Sequence, residues 1–181
     1  MYRKDPIDFY CQRCGLCCEK LFHAVHGIQK SISLTEEEAK QFPSNTIKPE
    51  RGLGTSITDI RCIISYQVSV EPCPHYDGIE NKCNIYQNRP LTCQRFPLVY
   101  AGDPFLAGVV EAIDCTFIAE TESSKKYKLN GYFTEKNFKA PNCWEALEKE
   151  YDHQYDIELL ATIDRLNRYR YDLKTNTWHP E

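Results

Sequence analysis

Apolar and polar positions along this chain switch over short distances, so mostly short elements are predicted. Residues 31–43 (Ser-Ile-Ser-Leu-Thr-Glu-Glu-Glu-Ala-Lys-Gln-Phe-Pro) read as a short helix. Thr35 caps it, Glu38 completes a capping box, Glu36 and Glu37 suit the helix dipole, and Pro43 stops it. Residues 44–58 contain Pro49, Gly52 and Gly54 and read as a loop. Gly52-Leu53-Gly54 is expected to be a turn and not a phosphate loop, because it lacks a third glycine and a preceding strand. Residues 60–70 are rich in Ile, Val and Tyr and predict a strand.

Further on, Pro72 and Pro74 restrict the backbone around Cys73, Asp77-Gly78 offers a turn, and Arg89-Pro90 ends or starts an element. The most apolar stretch, 105–113, is short and interrupted by Gly108 and Glu111. Residues 120–140 are polar and predict an exposed loop or hairpin. Two helices are expected at 143–151 and 156–169. In the second, Asp156 is the candidate cap and Ile157, Leu160, Ile163 and Leu166 form one apolar stripe. Residues 171–178 read as a strand, a turn at Thr175-Asn176, and a strand. The expected class is α+β: a small, irregular, cysteine-rich domain over 1–118 with short strands and helices. A C-terminal extension over 119–181, made of helices and a terminal hairpin, is expected to pack on it and is a candidate docking element.

Length and charge narrow the function. A chain of 181 residues suits one domain with an extension. The net charge of −4, with no basic block, argues against a nucleic-acid partner. No run approaches the roughly 18 apolar residues of a membrane span. The opening Met1-Tyr2-Arg3-Lys4-Asp5-Pro6 has no apolar core, so no secretory signal is expected and the location is read as cytoplasmic.

The candidate chemistry lies in ten cysteines: 11, 14, 17, 18, 62, 73, 83, 93, 115 and 143. Cys11-x2-Cys14-x2-Cys17 lets one short loop present several thiolates to a metal, with adjacent Cys17 and Cys18 expected to point apart. A disulfide framework is disfavoured, because the cysteine content is below the roughly 8–10% of short disulfide scaffolds and a reducing cytosol keeps thiols free. Cys73, Cys83 and Cys93 are ten residues apart, and only the fold can gather them. Zinc usually takes two CxxC knuckles, and the second is missing. Three cysteines at x2 spacing with a remote fourth match bacterial-type [4Fe–4S] ligation, although its usual continuation is missing. Iron–sulfur is therefore favoured, with zinc as the alternative. Arg13, Arg89 and Arg95 are candidate cations for such a site, and Gly15 would let the backbone approach a sulfur. Cys62 and Cys143 read as small core residues. His23, His26 and His75 read as surface histidines, with His75 a secondary candidate ligand or donor.

The run Cys11-x2-Cys14-Gly15-x-Cys17-Cys18, then Cys73-Pro74, then Cys83-x-Ile85-Tyr86-x2-Arg89-Pro90-x2-Cys93-x2-Phe96-Pro97 resembles the CxxCxxCC (YkgJ-type) cysteine-cluster family of zinc- or iron-chelating domains. The resemblance covers residues 8–116. Gln94 stands where the family usually has Arg, and Thr116 where it often has Pro. The resemblance implies eight candidate ligands in one or two sites: Cys11, Cys14, Cys17, Cys18, Cys73, Cys83, Cys93 and Cys115. A longer group in the family, the flagellin lysine N-methylases, is associated with a [4Fe–4S] cluster. No GxGxxG, P-loop, HExxH, Gly-x-Ser-x-Gly or radical-SAM CxxxCxxC motif is present, so no catalytic residue is assigned and the reading leans away from an enzyme. The expected role is a redox- or oxygen-responsive metal-cluster accessory that docks on another protein or enzyme complex. The alternatives are an enzyme or enzyme subunit in methyl or electron transfer, and a structural zinc protein.

Overall fold

A computed structural model of the chain describes residues 7–8, 15–96, 98–100, 110–112, 116–118, 126–128, 132–133, 138–163 and 165–181. Its helices are α1 (Leu16–Glu19), α2 (Glu36–Ala39), α3 (Leu91–Arg95) and α4 (Pro141–Ile163), and short strands make up most of the rest, an α+β arrangement. The chain divides into two compact units, neither a continuous segment. One holds Met1–Gln12 and Leu91–Asp152, and the other holds Arg13–Pro90 and His153–Glu181.

The second unit is organised by a five-stranded antiparallel sheet. Its strand order is Thr177–Pro180, Asn167–Asp172, Ile47–Ser56, Asp59–Val68, Ser33–Leu34. The expected strand at 60–70 is present as Asp59–Val68. The expected loop at 44–58 is not: most of it is the ten-residue strand Ile47–Ser56, the centre of the sheet. Pro49 and the glycines are tolerated there because the register shifts repeatedly between Pro49 and Ser56. At Gly54 a Cβ would lie 2.1 Å from the Asp59 carbonyl oxygen, so this glycine marks close approach of two strands and not a turn.

The short helix predicted in 31–43 forms as α2. Thr35 Oγ1 accepts from the Glu38 amide at 3.2 Å, and Glu38 Oε2 accepts from the Thr35 amide at 2.8 Å. Leu34, Ala39, Phe42 and Val68 bury together with Leu21 and Cys73, and Cys18, Tyr76 and Ile85 pack against them. The cysteine loops are thus anchored to the apolar core. A polar group is buried as well. Glu50 is 1% exposed, its carboxylate accepts from Ser65 Oγ at 3.0 Å and from Ser33 Oγ, and it pairs with Lys30 at 3.5 Å.

The two helices expected at 143–151 and 156–169 are one. Pro141 occupies the first turn of α4, and the helix runs through Asp156, which is not a cap. It ends in a Schellman motif: the Leu166 amide donates to Ala161 O at 3.0 Å and the Arg165 amide to Thr162 O at 3.4 Å. Arg165 takes the left-handed position with φ +52°. Residues 167–172 are then a strand, so Tyr169 lies in the sheet. The predicted terminal hairpin is present, with Tyr171 opposite Trp178 and their rings edge to face at 5.2 Å. The proposed apolar stripe is not a buried seam: Ile157 is buried, whereas Leu160 and Ile163 are exposed.

In the first unit the described strands pair Ile7–Asp8 with Phe138–Lys139, join Tyr132–Phe133, Val110–Ala112 and Leu98–Tyr100, and pair Thr116–Ile118 with Lys126–Lys128. The last pair places a hairpin across the start of the polar 120–140 stretch, much of which lies outside the described residues, as does most of 105–113. Arg95 of α3 is ion-paired with Glu150 of α4 and donates through Nη1 to Leu98 O at 2.6 Å. Among the described residues no helix is long and apolar enough to cross a membrane.

Candidate metal centre

Gly15, at φ +79°, leads into α1. The Gly15 carbonyl accepts from the amides of Cys18 (2.8 Å) and Glu19 (2.9 Å), which winds the single helical turn carrying Cys17 and Cys18. A Cβ on Gly15 would lie 2.1 Å from Tyr76 Oη. The glycine therefore makes room for a tyrosine. The Tyr76 hydroxyl sits within hydrogen-bonding distance of Asn81 and Glu19 and ties the first loop to the second.

Cys73 reaches this loop through its backbone: its amide donates to Cys18 O at 2.8 Å. The next residues fold back as a small ribbon, Tyr76–Asp77 against Lys82–Cys83, with Tyr76 directly across from Cys83. The Asn84 amide donates to His75 O at 2.8 Å, and Asp77 Oδ1 accepts from the amides of Ile79 (3.0 Å) and Glu80 (3.2 Å), forming the predicted turn. A single turn over Tyr86–Asn88 follows and stops before Arg89-Pro90. Arg89 donates to Tyr86 O at 3.0 Å and stacks 3.9 Å over the Tyr86 ring, a cation–π contact.

The thiols feel one another. Cys17 and Cys18, expected to diverge, are hydrogen-bonded side chain to side chain. That bond does most to hold the Cys17 thiol down at about 7, against the opposing effect of burial and with help from its own backbone and the Arg89 charge. A substantial share of Cys17 is then thiolate near neutrality, the form that binds metal. Burial pushes the Cys73 thiol up, and the charges of Cys83 and Cys17 add to that. The backbone amides of His75 and Tyr76 pull the other way, and the Tyr76 amide donates to the Cys73 carbonyl at 2.9 Å. Amides placed near a sulfur are how proteins stabilise its metal-bound form.

Four of the predicted ligands, Cys17, Cys18, Cys73 and Cys83, thus come from three segments of one unit, two of them joined by the Cys73–Cys18 backbone bond. None of these four is in a disulfide. Among the described residues no three His, Cys, Asp or Glu side chains are gathered closely enough to enclose a metal ion. Cys93 is half-buried in α3, within the first unit. Cys11, Cys14, Cys115 and the candidate cation Arg13 lie outside the described residues.

The remaining candidates separate cleanly. Cys143 is buried in α4, its Sγ 3.6 Å from Phe96 O, as its core reading predicts. Cys62 is exposed, against the expected core position, because the strand Asp59–Val68 becomes buried only from Ser65 onward. His75 is held by Gln41 O at 2.8 Å and packs edge-on against Phe42. His23 Nδ1 lies 3.2 Å from Leu21 O, and both His23 and His26 are exposed. Arg95 is committed to Glu150. Sequence reasoning missed Tyr76, whose signal was only its position three residues after Cys73.

The soft, partly ionised donor set fits zinc or iron. The CxxCxxCC family, described as "Putative zinc- or iron-chelating domain", matches residues 10–132, more than half of the chain. No curated protein and no solved structure matches the chain.

Proposed function

The chain belongs to the CxxCxxCC family of zinc- or iron-chelating domains, and on that premise we propose that it carries an iron–sulfur centre and serves as an oxidant- or oxygen-responsive accessory docking on another protein or enzyme complex. The observation that carries the proposal is the meeting in one unit of the segments that carry Cys17, Cys18, Cys73 and Cys83, joined by the backbone bond between Cys73 and Cys18. These four residues, with Cys11, Cys14, Cys93 and Cys115, are the proposed ligands. The C-x2-C-x2-C loop and the missing second CxxC knuckle favour iron–sulfur. An iron–sulfur centre supplies an electron-accepting site that oxidant can also dismantle. The protein's own part is to orient the sulfurs, set backbone amides beside Cys73 and place the Arg89 charge near Cys17. Loss of the metal would loosen the loops it ties together, since metal binding and folding are coupled in such sites.

Zinc is the second reading, because the matching family is described as zinc- or iron-chelating and four thiolates are the usual set of a structural zinc site. Anaerobic purification followed by iron, zinc and acid-labile sulfide analysis separates the two. Brown protein with iron and sulfide supports the proposal; colourless protein with zinc alone replaces it with the structural zinc reading. For the iron form, partner capture that is indifferent to oxidant and chelator would remove the sensing role.

A further inference from the structure

One face of the five-stranded sheet gathers positive charge. The register sets Arg51, Arg170 and His179 opposite one another on three neighbouring strands, so their side chains share that face. Arg168, two residues before Arg170 in the same strand, lies on it too. Lys30 belongs to the group, since the charges of Glu50, Arg170 and Arg51 all reach it. Two carboxylates answer these cations. Glu50 pairs with Lys30 at 3.5 Å. Glu181 is shared: Arg51 Nε lies 3.6 Å from its Oε1, and Arg170 Nη2 pairs with the same oxygen. The Arg51, Arg170 and Glu181 side chains are 19%, 12% and 20% exposed.

Lys30, Arg51 and Arg170 against Glu50 and Glu181 leave one positive charge, and two once Glu181 turns away. Arg168 and Asp172, at the two ends of their strand, cancel in this count. The Nε of Arg170 is buried and has no hydrogen-bond partner among the described residues. Beside this group opens a cleft of about 620 Å³, lined by Ala161, Leu166, Arg168, Tyr169, Pro180 and Glu181. That size suits a small molecule. Glu181 borders both the cleft and the two arginines.

We propose that this is a binding site for a small phosphate monoester, with the Glu181 carboxylate as an internal competitor for the same donors. The phosphoryl group takes the place of Glu181 on Arg51 and Arg170, whose planar forks match phosphate oxygens. As a dianion it cancels both positive charges, which a monocarboxylate does not, and its extra oxygen reaches the spare Arg170 donor. The organic part lies in the cleft against Leu166, Tyr169 and Pro180. Only the Glu181 side chain has to turn, because its amide stays on Arg168 O at 3.0 Å. The proposal does not depend on which metal the thiols hold.

Calorimetric titration of the full-length, metal-loaded protein at constant ionic strength tests it, with inorganic phosphate, phenyl phosphate and benzoate as probes. Both phosphates should bind saturably, phenyl phosphate the tighter, and benzoate about tenfold more weakly than phenyl phosphate. Glu181→Gln removes the competitor and should tighten phosphate binding about tenfold, whereas a Glu181 that serves the fold alone gives no gain. Arg170→Gln should weaken binding about tenfold, and Arg170→Lys, which keeps the charge but loses the fork, should fall between it and the unaltered protein. Because the decisive variant gains affinity, misfolding cannot imitate the expected result. No saturation by about 10 mM phosphate in either the unaltered protein or Glu181→Gln overturns the proposal. So does a Glu181→Gln protein that binds no tighter, binding indifferent to Arg170→Gln, or benzoate that binds as well as phenyl phosphate.

Discussion

The Cys73 amide donates to the Cys18 carbonyl at 2.8 Å, joining the two halves of the cysteine pattern across 54 intervening residues by backbone alone. The bond uses neither side chain. Substitutions at the sulfurs should therefore remove metal before they remove the local path of the chain.

Cys17→Ser and Cys73→Ser are expected to lose most of the bound metal, whereas Cys62→Ala should keep it. Cys62 is exposed, so its replacement should change stability by no more than about 0.5 kcal/mol. Metal analysis with thermal melts checks both halves. Equal metal loss in all three would mean that the thiol group is wrongly assigned.

Gly15→Ala should destabilise the site without touching a thiol. The residue sits at φ +79°, and its new Cβ would collide with the Tyr76 hydroxyl. The left-handed backbone alone costs about 1–2 kcal/mol, and displacing Tyr76 adds to it. A lower melting temperature together with weaker metal retention is expected. Wild-type behaviour would mean that the Tyr76 contact is dispensable.

Acid stability should depend on Glu50. Burial opposes its ionisation, but Lys30, Arg51 and the hydroxyls of Ser33 and Ser65 outweigh it and hold the carboxyl below its ordinary 4.5. A carboxyl lowered by folding adds stability that is fully present above about pH 4.5 and is lost as pH falls through its lower folded value. Glu50→Gln should flatten that acid limb and, by leaving Lys30 without its buried partner, cost about 3 kcal/mol near neutrality. Burial lowers Lys30 itself, so its charging cost is relieved as pH rises towards 10.5. Urea melts of both proteins between acid and neutral pH measure the difference.

Local rules in the sequence were readable and long-range ones were not. The capping box of Thr35 and Glu38 is complete within four residues, so α2 could be read directly. Proline and glycine punctuation misled at Ile47–Ser56, because bulges and close strand approach use the same residues as loops. The x2 spacing is a local signal, legible at residues 11–17 without the fold. It could not show that Cys17 and Cys18 hydrogen-bond to each other, or that Tyr76 fills the space above Gly15. Cys62 lies among apolar neighbours in sequence but on the exposed end of a hairpin, where adjacency says little about depth.

The C-terminal hairpin should prove inseparable from the fold. Asn167–Asp172 is an interior strand, flanked by Ile47–Ser56 and Thr177–Pro180, so removing it exposes an edge of the central strand. Asp172, 4% exposed, accepts from the amides of Gln29 (3.2 Å) and Lys174 (2.8 Å) and from Thr175 Oγ1 (3.1 Å). Asp172→Ala would leave these donors unsatisfied, at a cost of about 1–3 kcal/mol. Truncation after Leu166 should lower metal content as well as stability, because Val68 of the same sheet belongs to the cluster that buries Cys73. A truncated protein that stayed folded and fully loaded would show that the cysteine loops are held by the metal and α2 alone.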